Sequence, residues 1–81
     1  MFIKSATYKI LERNDIEVEI VLQNASGNLD SYIFSYHSNP MGLSKLFYDK
    51  KVIATFRNYR DVPRVMGKAI EHLETKVLRG K

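Results

Sequence analysis

The sequence predicts an α+β domain: a small four-stranded, mainly antiparallel sheet with one C-terminal amphipathic helix packed on one face. Three patterns carry this expectation. Ile16, Val18, Ile20 and Leu22 alternate with Glu17, Glu19 and Gln23, the two-residue period of a half-buried strand. After a polar loop, Tyr32, Phe34 and Tyr36 alternate with Ile33, Ser35 and His37 in the same way. From Val62 onward the apolar residues Val65, Met66, Ala69, Ile70, Leu73 and Val77 recur every three or four positions, which is the period of a helix with one apolar face.

The first strand spans the β-compatible segment from Ile3 to Glu12, with Phe2, Ala6, Tyr8 and Ile10 on one side and Ile3, Thr7 and Leu11 on the other. Asn14 and Asp15 supply turn chemistry before the second strand. The loop Asn24 to Asn28 has hairpin length, so the third strand runs antiparallel to the second. Asn39, Pro40, Met41 and Gly42 break the pattern, and Leu43 to Tyr48 reads either as one helical turn or as an irregular excursion. Val52 to Phe56 is the fourth strand, short and nearly all apolar. Asp61 then sits as an N-cap, Pro63 lies in the first turn where its missing N–H costs nothing, and Gly80 ends the helix.

At 81 residues the chain is one domain, 1–81, and 44% hydrophobic content is that of a folded globule. With no cysteine, disulfides and thiolate metal sites are excluded. The opening residues lack the apolar core of a signal peptide and no apolar run reaches the length of a membrane span, so a cytoplasmic protein is expected.

Charge is strongly segregated. Residues 1–44 hold three cations and five anions, whereas residues 45–81 hold ten cations and four anions. Within the basic part, Arg64, Lys68, His72, Thr75 and Arg79 share one helix flank, and Arg57 and Arg60 extend the cluster ahead of the helix. Lys50 and Lys51 lie in the loop before the last strand. Such a surface selects a polyanion or an acidic protein. Arginines near a helix N-terminus can hold phosphate, although a capping Asp61 already occupies that field. Tyr48 and Tyr59 are the aromatics expected to stack on unpaired bases. Glu17, Glu19 and Asp30 give the opposite pole an acidic rim.

No catalytic signature is present. The two histidines, His37 and His72, have no companion at metal-ligand spacing, no serine sits in a nucleophile elbow, and the four glycines make no phosphate loop. No cofactor, metal or enzymatic activity is expected. No family motif extends over a useful length. The cysteine-free chain, rich in Lys, Asn, Ile and Tyr, has the general character of a phage or mobile-element accessory protein. The expected function is binding of nucleic acid, with RNA favoured over DNA, through the basic helix face. The alternatives are a stoichiometric inhibitor of a nucleic-acid-handling host factor (a nuclease, toxin or defence complex) and a small homo-oligomeric module, and a homodimer fits the single helix's inability to cover both sheet faces.

Overall fold

A computed structural model describes residues 2–57 and 61–78. Five strands form one sheet in sequence order: β1 (Phe2–Ile10), β2 (Ile16–Gln23), β3 (Leu29–His37), β4 (Ser44–Tyr48) and β5 (Lys51–Phe56). Every neighbouring pair is antiparallel. Helix α1 (Val62–Leu73) follows and continues as a wider π turn over Glu74–Leu78. The α+β class and the C-terminal helix are as expected, but the strands number five rather than four.

The additional strand is β4, at the segment that the sequence leaves between helical turn and excursion. It exists because Asp49 and Lys50 both adopt left-handed backbone, with φ of 53° and 66°, closing a two-residue hairpin between Tyr48 and Lys51. Two consecutive positive φ values define the turn whose twist matches the strands it joins. That conformation is steric work for a lysine, roughly 1–2 kcal/mol, and the pairing of β4 with β5 must exceed it. Lys50 is therefore in a tight turn and Lys51 begins β5, where a longer loop was expected.

β1 carries a second departure. Ile3 pairs with Leu22 but Ser5 pairs with Val21, so Lys4 is the extra residue of a bulge. The bulge sends Ile3 and Ala6 to the same face and leaves Phe2, opposite Gln23, on the other. Strict alternation would place them the other way round.

The β2–β3 loop is stapled by Asn24, whose Oδ1 accepts from the backbone N–H of Ser26 and of Asn28 at 2.9 and 3.0 Å. Gly27 has φ of 87°, a conformation that a side chain would disfavour. At the other end, the Asp15 carboxylate accepts from the Ser38 N–H at 3.1 Å and lies 3.3 Å from His37 Nδ1, docking the β1–β2 turn onto the end of β3.

The core lies between the sheet and α1. Ile16, Val18, Ile20 and Leu22 of β2, Phe34 and Tyr36 of β3, Leu46 of β4 and Phe56 of β5 are buried against Val65, Ala69 and Leu73 of α1. The helix packs on the face bearing the β2 aliphatics, and the Tyr32, Phe34, Tyr36 alternation points to the same side. Full burial of each large side chain stabilises the fold by about 1.5–3 kcal/mol. Ser44, the buried polar residue of this core, accepts the Asn39 N–H at 2.9 Å. Among the described residues no element lies on the opposite face of the sheet.

Candidate nucleic-acid interface

Asp61 begins the site by capping α1: its Oδ1 accepts the Arg64 N–H at 3.2 Å and its Oδ2 lies 3.6 Å from Arg64 Nε. A hollow of about 320 Å³ opens here, lined by Thr55, Phe56 and Arg57 from the end of β5 and by Asp61 and Arg64 from the helix start. Arg57 and Arg64, separated by a connection, thus converge on one concavity, as the charge pattern suggests. Asp61 shares it and draws on Arg64.

Further along α1, Lys68 is exposed and its Nζ is 3.6 Å from Glu71 Oε1. The segment 61–78 holds three cations (Arg64, Lys68, Lys76) and three anions (Asp61, Glu71, Glu74), so the helix itself is neutral. The excess positive charge comes instead from Lys45, Lys50, Lys51 and Arg57 in and around β4 and β5, together with the residues that flank the helix. The i,i+3 acids supply the alternation of sign that stabilises a solvated helix.

His72 and Thr75 leave the stripe. The His72 ring is half-buried, 5.4 Å from the Tyr48 ring and 6.1 Å from Phe34 between centroids. Burial, reinforced by the positive charge of Lys76, lowers its pKa below the usual histidine value. His72 is therefore a half-buried packing group held toward its neutral form, where a solvent-facing binding contact is expected from the helix spacing. The Thr75 hydroxyl donates to the carbonyl oxygens of Glu71 and His72, both at 3.1 Å, and serves the helix end.

Tyr48 belongs to the same aromatic cluster, 4.9 Å from Phe34 and 6.3 Å from Tyr32. It is half-buried, and burial, then Tyr32 and Asp49, raise its phenol pKa. The ring is therefore only partly accessible to a base. Lys50 and Lys51 are exposed beside it. Since α1 runs from the Phe56 end of β5 back toward Tyr48, the cations fall at two ends of one flank. Arg57 and Arg64 hold one end, and Lys50 and Lys51 hold the other. Arg60, Tyr59 and Arg79 lie outside the described residues.

The acidic rim divides. Glu17 and Glu19 point to the uncovered face, where Glu19 accepts the Ser31 hydroxyl, whereas Asp30 pairs with Leu22 and lies on the helix side. A one-residue difference in strand phase separates them.

One concavity was not anticipated. His37, Ser38, Asn39, Leu43, Lys45 and Phe47 line a hollow of about 390 Å³ at the end of β3 and β4, with the His37 ring edge-on to Phe47 at 5.1 Å. Its residues become neighbours only once β4 is recognised as a strand. Among the described residues, no three histidines or acids gather where a metal ion could be held, and no helix is long and apolar enough to cross a membrane. Comparison with protein-family models, with curated proteins and with solved structures finds no match.

Proposed function

We propose that this protein is a non-enzymatic nucleic-acid-binding protein of the phage or mobile-element accessory kind, and that single-stranded RNA is its favoured ligand class. The convergence of Arg57 and Arg64 on one hollow at the start of α1 supports this most directly. A phosphate entering there meets two guanidinium groups from different elements, each able to donate in bidentate fashion. Lys68 continues the flank, and Lys50 and Lys51 close its far end beside the half-buried Tyr48, against which a base can stack. An unpaired strand can follow this flank, and the contacts are to phosphate, so binding is independent of sequence. The second reading, a stoichiometric antagonist of a nucleic-acid-handling host factor, draws on Glu17 and Glu19 beside the exposed Ile33, which would suit a basic protein partner.

Fluorescence anisotropy with labelled single-stranded RNA and DNA, measured over a salt series, tests the proposal. If about six phosphates are neutralised, log affinity falls against log salt with a slope of about −4 to −5. Arg57→Glu with Arg64→Glu should abolish binding while leaving the helical circular-dichroism signal intact. Asp61→Asn keeps a capping side chain but removes the competing charge, so affinity should rise with little change in stability. Affinity that does not respond to salt or to the double arginine reversal sinks the proposal. A protein captured from nuclease-treated lysate, and lost on Glu19→Lys, would favour the antagonist.

A further inference from the structure

We infer that the uncovered face of the sheet is a self-association surface, and that two copies pack face to face about a two-fold axis running along the central strand β3. The face carries a diagonal apolar band. Val21 on β2, Ile33 on β3, Phe47 on β4 and Val52 on β5 are diagonal or direct neighbours in the strand register, and Ile33 sits midway along the middle strand. Ile33 is 44% exposed and Val52 48%. Phe2 and Leu29 flank Gln23 at one end of the same face and are 55% and 57% exposed.

Charge selects the axis. On this face the anions Glu17 and Glu19 belong to β2 and Lys45 belongs to β4, one strand to either side of β3, while Lys9 of β1 pairs directly with Glu17. A two-fold axis across the strands through Ile33 would set β2 over β2 and bring Glu19, which is level with Ile33, against Glu19. An axis along β3 sets β2 over β4 of the second copy, so Glu17 comes nearest Lys45. In the register, Glu17 is level with Phe47, two residues from Lys45, an offset of about 7 Å that a lysine side chain can span. The bands then cross at Ile33 against Ile33. An isologous contact of this kind closes on itself and does not propagate.

The area agrees with a reversible dimer. Five strands at about 4.8 Å spacing and about eight residues of about 3.4 Å rise give a face of roughly 600 Å², somewhat under the ~800 Å² per partner of a standard interface. Two such sheets pack about 10 Å apart, with their strands within about 30° of alignment. The assembly would have four layers, with α1 of each copy outermost and both Arg57–Arg64 flanks left open. The inference does not depend on the nucleic-acid proposal.

Sedimentation velocity across a concentration series, from low micromolar to millimolar in the absence of nucleic acid, reads the outcome. The wild type should pass from monomer to dimer. Ile33→Lys should weaken association roughly thirtyfold or more, since the residue lies at the centre of the contact. Its circular-dichroism spectrum should be unchanged, because residue 33 points away from the helix. Lys45→Glu and Glu17→Lys should each associate more weakly alone, and an equal mixture of the two should recover as a heterodimer in which positions 17 and 45 carry opposite charges across both contacts. A wild type that remains monomeric at millimolar concentration overturns the inference, as does an Ile33→Lys variant that still dimerises. If the wild type is monomeric and Ile33→Lys loses RNA affinity, the face belongs to nucleic acid instead.

Discussion

The two faces of this sheet are built from the same strands yet differ in almost every physical respect. The covered face is a nearly continuous apolar surface: eight apolar sheet residues are buried there, four of them from β2 alone. The opposite face sets a narrow apolar band among charges, with acids on β2, a lysine on β4 and Lys9 of β1 beside Glu17. Neighbouring positions on one strand, Ile33 and Phe34, therefore do different work. Phe34 holds the domain together, whereas Ile33 is available to something outside it.

Substitution at those two positions should break the comparison most clearly. Phe34→Ala removes a fully buried ring in contact with Tyr48 and His72, and should cost about 3–5 kcal/mol in chemical denaturation. Ile33→Ala should cost the isolated monomer well under half of that. Equal losses would mean that the outer face is also covered within a single chain. Gly67 gives a smaller effect of opposite sign. It lies on the solvent side of α1, and an added Cβ would meet nothing within 4 Å. Gly67→Ala should therefore stabilise the protein by about 0.5–1 kcal/mol, raising the denaturation midpoint. Among the described residues, no other backbone approaches closely enough to make alanine unfavourable.

The smallest effect concerns pH. His72 packs against the covered face with its pKa lowered, so the folded state binds a proton less readily than the unfolded state. Stability then rises with pH across the window between the lowered folded value and the ordinary value near 6.5, and falls on acidification through it. The melting temperature of the wild type should drop between pH 7 and pH 5 by more than that of His72→Phe. Identical profiles would place the ring in solvent.

Much of this arrangement was legible in the residues. β2 and α1 announce themselves because their periods are unbroken and their polar residues fall in phase. The Asp61 cap follows from the same logic, whereas the side taken by Tyr32, Phe34 and Tyr36 depends on the β2–β3 register, which alternation alone does not fix. β4 was hidden because Ser-Lys-Leu-Phe-Tyr fits either period over so short a run, and because its turn uses Asp-Lys where glycine is the usual signal. The β1 bulge was hidden because one extra residue leaves no mark on composition. At the site, the basic row was visible, and so were its opposing acids at i,i+3. The burial of His72 and Tyr48 was not, since it depends on which strand α1 overhangs.

The meander has a bearing on how the chain reaches this state. Every strand pairs with its neighbour in sequence, so each hairpin can close locally and with little loss of chain entropy. The helix that seals the apolar side follows all five strands. A nascent sheet emerging from the ribosome would thus present Val18, Ile20, Leu22 and Phe34 unprotected until Val65, Ala69 and Leu73 have been synthesised. The acids and lysine on the other side serve as gatekeepers during that interval, keeping one surface charged while the other waits for its cover.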